Sequence, residues 1–146
     1  MMNFERNFYR GKRVDNGEWV YGFYVPVNYA KPLIVTGEDI DDYSEIEFDD
    51  YYHVNDTTVG QYTGLPDKNS KKIFEGDIIK IVPDCDYSDD YSISNVYSYN
   101  GILCVDYHGD DFDSTALGFL VDYLPDGDFE VIGNIHDNPE LLEVEE

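Results

Sequence analysis

Two carboxylates near the middle of the chain have the spacing of an acid–base pair. Glu75 and Asp77 flank Gly76, and residues two apart on a strand share a face, so both carboxylates would point the same way. Such a pair can transfer protons or hold a divalent cation. Neither a nucleophile nor an orienting base accompanies the pair, so we interpret it as part of a turn that leads into a barrel strand.

Two other acidic segments suggest calcium-binding sites. Residues 126–130 and 106–113 are rich in aspartate. Neither segment has the EF-hand arrangement of three early oxygen ligands, a glycine at the sixth position and a glutamate at the twelfth. We therefore expect only adventitious cation binding at these segments.

The few cysteines and histidines could in principle hold zinc. Cys104 and His108 form a Cys-x3-His spacing, and Cys85 with His53 or His136 could complete four ligands. The close paired ligands of structural zinc sites are absent, as are phosphate-binding loops and hydrolase motifs. The sequence predicts no catalytic residue, no metal site and no cofactor.

The net charge limits the classes of partner. The 146 residues contain 9 Lys and Arg against 32 Asp and Glu, a formal net charge of -23, and residues 81–146 contain 17 acidic residues and no basic ones. Charge of this density repels nucleic acid and anionic lipid and attracts basic protein surfaces. Direct binding to nucleic acid or a membrane is therefore disfavoured, although acidity also serves solubility alone.

One basic cluster leaves a second hypothesis open. Arg6, Arg10, Lys12 and Arg13 lie close together near the start of the chain. A small β-barrel module could bind nucleic acid or a small ligand directly through such a region.

Aromatic residues are abundant, with 14 Tyr and 8 Phe. Trp19, Tyr21 and Phe23 alternate along one predicted strand, and we expect them to form the buried face of its sheet. Tyrosines that lie among acidic residues favour a protein interface, because tyrosine gives a large contact area at low entropic cost. The predicted interaction surface consists of Glu38, Asp39, Asp41, Asp42, Tyr43, Asp49, Asp50, Tyr51 and Tyr87.

Turn signals and alternating apolar residues predict an all-β, mainly antiparallel fold. Asn-Gly pairs at 16–17 and 100–101 supply hairpin turns. The apolar run at 117–124 fits a strand or a helix, and Asn138 followed by Pro139 predicts a short C-terminal helix. The length fits one domain over residues 1–146.

The sequence also suggests a compartment. No apolar run is long enough to span a bilayer, and the first residues lack the apolar stretch of a signal peptide. Two cysteines make no disulfide framework in a chain of this size. We expect a cytoplasmic protein with reduced thiols.

Three segments together resemble one family. They are FYRGKRVDNGEWVYG at 8–22, VGQYTGLPDKNSKKIFEGDIIK at 59–80 and EVIGNIHDNPELL at 130–142. They resemble the YopX family of small proteins from phages and prophages of Gram-positive bacteria. The central segment departs from the family pattern at Ser70, where glycine is usual, and at Phe74, where tyrosine is usual; a serine at a positive φ is strained. The family motif includes Gln61, Tyr62, Thr63, Gly64, Leu65, Asp67, Lys68, Asn69, Glu75, Gly76 and Asp77.

The resemblance implies a small SH3-like, barrel-like fold, a phage origin and self-association into a homo-oligomer. It implies no activity, because the family has no established biochemical function. Our hypothesis is a non-enzymatic phage accessory protein, in the cytoplasm of the bacterial host, that binds a basic host or phage protein through its acidic, Tyr-rich surface. In its sharper form, the carboxylates imitate the phosphates of nucleic acid.

Overall fold

The computed structural model describes residues 8–36, 50–84, 90–107 and 114–143. In these ranges the chain consists mainly of antiparallel strands, with one short α-helix and short 3₁₀ helices, so the all-β prediction is confirmed. The chain divides into two compact units, residues 1–62 and residues 63–146. The single domain over residues 1–146 stays a prediction.

The first unit begins with a hairpin whose turn the sequence encodes. β1 (Phe8–Lys12) pairs with β2 (Trp19–Val25), with Lys12 opposite Trp19. Gly17 closes the turn with a φ of 73°, a conformation that glycine adopts without steric cost. The predicted hairpin is confirmed.

Two further strands extend this sheet. β3 (Leu33–Thr36) pairs with β2, and β4 (Asp50–His53) pairs with β3. The order in this unit is β4-β3-β2-β1, and β1 also pairs with the start of β5 (Gly60–Pro66). The sheet is open in its strand order.

Backbone hydrogen bonds curl this sheet until the end of β4 meets the end of β1. Arg13 and Val54 form an isolated antiparallel bridge. The Val14 N–H donates to the His53 carbonyl over 3.0 Å, and a second bond of 2.8 Å joins residues 55 and 12. The curl is the barrel-like feature of this unit.

Small and aliphatic residues line the inner face of the curl. Ile34 and Val54 are fully buried. A Cβ added to Gly11 would lie 3.0 Å from Val54, and one added to Gly22 would lie 2.1 Å from the Val35 carbonyl oxygen. These two glycines therefore allow the strands to approach closely.

The position of the aromatic row corrects one expectation. Trp19, Tyr21 and Phe23 share a face, but none of the three is buried: Tyr21 is 44% exposed and the other two are half-buried. The prediction that they form the buried face is wrong. Alternation determines which residues share a face, whereas the direction of curl determines which face is buried.

The second unit contains the end of β5 and the remaining elements. The end of β5 lies beside β6 in the strand order; β7 lies between β8 and β12, and β10 lies between β9 and β11. The helix α1 follows β11 directly, and a 3₁₀ helix comes last. The bounds are β6 Lys72–Phe74, β7 Asp77–Val82, β8 Ser92–Asn95, β9 Tyr97–Tyr99, β10 Ile102–Asp106, β11 Ser114–Ala116, α1 Leu117–Tyr123, β12 Asp128–Asn134 and the 3₁₀ helix Pro139–Leu142.

An aliphatic core holds the second unit together. β7 contributes residues that are buried on both faces of its sheet, and α1 adds Leu117 and Leu120 from its inner side. Full burial of one such side chain contributes about 1.5–3 kcal/mol. The core cluster consists of Ile73, Ile79, Ile81, Val96, Val105, Tyr107, Leu117, Leu120 and Phe129.

Candidate functional site

The predicted interaction surface is described at two of its nine residues. Asp50 and Tyr51 begin β4, the edge strand of the first unit, and both are exposed, with Tyr51 at 65%. A large exposed ring beside a carboxylate is suited to contact with a protein. Outside the described residues lie Glu38, Asp39, Asp41, Asp42, Tyr43, Asp49 and Tyr87.

A pocket of about 360 Å³ lies beside β4. Val14 and Asp15 form one wall, from the turn after β1, and Tyr51, Tyr52 and His53 form the other, from β4. The bond from the Val14 N–H to the His53 carbonyl holds the two walls together.

Arg13 fixes the carboxylate of the first wall. Its Nε and Nη2 donate to the two oxygens of Asp15 over 2.8 and 2.6 Å, and its guanidinium lies 4.3 Å from the centroid of the Tyr52 ring. The side-chain hydrogen bond raises the pKa of Arg13 and lowers the pKa of Asp15. Both groups therefore stay charged at neutral pH.

The basic cluster of the second hypothesis is engaged in packing within the first unit. The Arg10 residue is only 5% exposed, and its guanidinium lies 4.6 Å from the centroid of the Trp19 ring. The Lys12 Nζ lies 5.4 Å from the same centroid, and Arg13 is paired with Asp15. Arg6 lies outside the described residues. These contacts leave less of the cluster's charge available to a nucleic acid.

The turn of the family motif is organised around one buried carboxylate. Asp67 Oδ1 accepts from the N–H groups of Asn69 and Lys71 over 2.8 and 2.9 Å, and Oδ2 accepts from the Val131 N–H over 3.0 Å. Burial acts to raise the pKa of Asp67, but these backbone hydrogen bonds together lower it. Ser70 adopts a φ of 65° in the same turn, the positive φ at which serine is strained.

The motif residues from Gln61 to Asn69 lie in β5 and in this turn. Tyr62 is buried, and Gly64 has a φ of 85°. The Thr63 hydroxyl accepts from the Leu65 N–H over 3.2 Å. Gln61 pairs with Tyr9 in the sheet, and the Lys68 N–H donates to the Phe129 carbonyl over 2.8 Å.

Glu75 and Asp77 occupy different environments. Asp77 is 1% exposed, and its Oδ2 accepts from the Phe74 N–H over 2.7 Å, whereas Glu75 is half-buried in the turn between β6 and β7. Gly76 between them has a φ of 93°, and its N–H donates to the Val96 carbonyl over 2.8 Å. The geometry is that of a turn that leads into β7.

A polar cluster on the second unit joins a phenol to a carboxylate. The Tyr97 hydroxyl donates to Asp106 over 2.5 Å and lies 2.8 Å from the Ser114 hydroxyl. The bond to Asp106 raises the pKa of Tyr97. A phenol held in its protonated form is a poor nucleophile at neutral pH.

The zinc and calcium candidates fall mostly on residues that the structure does not describe. Cys104 is buried in β10, whereas Cys85 and His108 lie outside the described residues. Within the described ranges, no group of three or more His, Cys, Asp or Glu side chains is arranged to hold a metal ion. In those ranges there is also no helix with the length and apolar character needed to cross a bilayer.

Sequence reasoning missed several exposed apolar groups. Phe119 and Tyr123 stack on the outer side of α1 with ring centroids 5.7 Å apart, and Tyr99 and Ile102 flank the second Asn-Gly turn, more than half exposed. The spacing of four between Phe119 and Tyr123 was the available signal for one helix face. No local pattern in the sequence predicts that Val14 lies beside β4, because its contact with β4 is a hydrogen bond to His53, which is distant in the sequence.

Comparison with known proteins gives a family and a fold. The pattern of the family described as YopX protein matches residues 8–143. The structure is similar to that of protein yopX from Bacillus subtilis, with a TM-score of 0.55 and 20% identity over 93% of this chain and 98% of that one. It is also similar to a protein from Enterococcus faecalis, with a TM-score of 0.54 and 26% identity over 92% and 96%. No curated protein matches the chain. Since the family pattern spans nearly the whole sequence, the chain belongs to the YopX family.

Proposed function

We propose that this protein is a phage-encoded, non-enzymatic accessory protein that binds a basic host or phage protein through an acidic, Tyr-rich surface that includes Asp50 and Tyr51. The observation that carries the proposal is the exposure of Tyr51, at 65%, beside a carboxylate on an edge strand. Aromatic anchors of this kind dominate the energy of protein interfaces. The phage origin rests on the resemblance of the three motif segments.

Charge supports a basic partner. With a formal net charge of -23, the protein attracts cationic surfaces, speeds their association and disfavours acidic partners. The sharper form of the proposal is that the carboxylates occupy the nucleic-acid-binding face of that partner. In that case DNA and this protein compete for one surface.

We also propose that the protein has no enzymatic role. This part of the proposal is based on the hydrogen bonds that the described carboxylates accept. Asp67 accepts three backbone hydrogen bonds, and Asp77 accepts one at the start of β7. Carboxylates used in this way stabilise a fold and are held away from proton transfer to a substrate.

The test is affinity capture with the full chain. Tagged protein is incubated with lysate of infected and uninfected host cells, at low and moderate salt and with or without competing DNA. The captured protein is then purified, and its affinity is measured by calorimetry. We expect one basic protein whose affinity falls as salt rises, because exposed charges are screened over about 10 Å at 0.1 M, and which DNA displaces.

Matched variants locate the surface. Tyr51→Ala should weaken the purified complex, and Tyr99→Ala, which removes a ring of similar exposure in the other unit, should leave it unchanged. Equal effects of the two variants, or failure to capture any basic protein, would count against the proposal. Sedimentation of the purified chain tests the proposed homo-oligomer, and a monomer at all concentrations would exclude it.

A further inference from the structure

We infer that the pocket beside β4 receives an arginine side chain of the partner protein, on an extended segment that adds to the edge of β4. This inference rests on the proposed function, because it names the chemistry by which the same surface recognises its partner. Three features carry it: an open strand edge, the position of the pocket on that edge, and the charges around the pocket.

Among the described residues, the outer edge of β4 has a backbone partner at His53 and none further along the strand. The Val54 N–H donates to the Pro32 carbonyl on the β3 side, whereas the His53 carbonyl accepts from Val14 on the opposite side. Alternate residues of a strand direct their backbone groups to the same side, so those of Tyr51 point away from β3. Within the described part of the chain, β4 is the last strand of the sheet, and such an edge accepts an added strand.

The pocket begins where the chain's own segment leaves this edge. Arg13 and Val14 occupy the edge as far as His53, and the chain turns away at Asp15. The next position along the edge lies beside Tyr51, and both Tyr51 and Asp15 line the pocket. A strand that pairs at Tyr51 would therefore place a side chain in the pocket. Its volume of about 360 Å³ is near the lower limit for ligand sites and suits a single side chain.

The groups around the pocket favour a guanidinium. Tyr51 offers an exposed ring face, and planar guanidinium groups stack on such faces. Arg13 already shows this geometry nearby, stacked on Tyr52 and forked onto Asp15.

The local charge has the matching sign. Four carboxylates, those of Asp15, Glu18, Asp50 and Asp56, lie on or close to the pocket-lining segments, against the cations Lys12, Arg13 and Lys31, which leaves one net negative charge. A carboxylate keeps lone pairs for a second donor after it has bound one guanidinium. An anionic ligand would meet this surplus of negative charge, and an apolar side chain would leave it uncompensated.

The test uses a capped pentapeptide, acetyl-Thr-Thr-Arg-Thr-Thr-amide, titrated into the full-length protein and followed by NMR. A second peptide carries citrulline, which keeps the shape of arginine but lacks its charge. We expect the arginine peptide to shift the signals of Val14, Tyr51 and Tyr52, and the citrulline peptide to bind about fivefold more weakly or not at all.

Variants separate the pocket from the rest of the surface. Tyr51→Ala should weaken binding of the arginine peptide about fivefold, whereas Tyr99→Ala should leave it unchanged. The inference is overturned if the pocket signals do not move, or if citrulline binds as well as arginine. The proposed function fails separately, when the full chain captures no basic protein. A captured partner that binds wild type and Tyr51→Ala equally would overturn both the pocket and the assignment of Tyr51.

Discussion

At the scale of single residues, the family motif has a structural explanation. Asp67 joins a turn to β12 by accepting hydrogen bonds from three backbone N–H groups, in a residue that is only 7% exposed. A buried carboxylate is tolerated when its oxygens are bonded in this way. The motif therefore preserves a connection within the second unit.

Asp67→Asn should destabilise the protein by about 2 kcal/mol at neutral pH, because an amide NH₂ would face one of the three donors. The hydrogen bonds hold the pKa of Asp67 below its ordinary value of 3.8. Its stabilisation is therefore complete above that value and is lost as the pH falls through the lower folded value. Urea unfolding from pH 7 to about pH 2.5 should show the difference from wild type shrinking only at the acid end.

Asp126→Asn serves as the control, since Asp126 is exposed in the turn before β12. This variant should unfold within about 0.5 kcal/mol of wild type. Equal losses of stability in the two variants would show that the effect of Asp67→Asn comes from the change of charge alone and not from its three hydrogen bonds.

At the scale of elements, the approach of β2 to β3 depends on a missing side chain. Gly22→Ala would place a Cβ 2.1 Å from the Val35 carbonyl oxygen, so the strands would have to separate, at a cost of about 1–3 kcal/mol. Thermal unfolding should show a lower Tm for this variant.

The control for this prediction is a glycine-to-alanine change that should have the opposite effect on stability. Gly118 lies in α1 with nothing within 4 Å of an added Cβ and no positive φ. Gly118→Ala should therefore stabilise the protein by about 0.5–1 kcal/mol. If Gly22→Ala also raised the Tm, the close approach of the two strands would be refuted.

Local signals in the sequence predicted the elements that they control. Asn-Gly pairs set both hairpin turns, because the required positive φ values belong to the turn itself: Gly17, Asn100 and Gly101 all adopt them. The sequence left the run at 117–124 open between a strand and a helix, because eight apolar-rich residues fit the periodicity of either element. In the structure most of this run is the helix α1, which buries Leu117 and Leu120 in the core. The polar strand β8 gave no apolar signal and was not predicted.

The sequence predicted only the part of the candidate site that depends on local residue types. Exposure of Asp50 and Tyr51 follows from residue type and local charge. The pocket depends on Val14 meeting His53, a contact across 39 positions that no local pattern contains. Ser70 departs from the family's usual glycine and yet adopts a positive φ, the conformation that glycine at this position would adopt without strain.

At the scale of the whole molecule, the dominant feature is self-repulsion. The formal net charge of -23 destabilises any compact state at low ionic strength. Raising NaCl from about 10 mM to about 0.2 M shortens the screening length from about 30 Å to less than 10 Å. We expect the free energy of unfolding to rise by about 1 kcal/mol, or roughly 3 °C in Tm. A Tm that stays flat or falls over this range in calorimetric scans would contradict the expectation.

The position of β12 also bears on how the chain is made. β7 pairs with β8 on one side and with β12 on the other, and Asp67 bonds to Val131, 64 positions later. During synthesis, at 5–20 residues per second, roughly 3–13 s separate the emergence of these two residues from the ribosome. Throughout that interval one edge of β7 and the Oδ2 atom of Asp67 lack the partners that β12 provides. A chain whose synthesis ends before β12 would therefore have a central strand, β7, with one edge open to pairing with another copy.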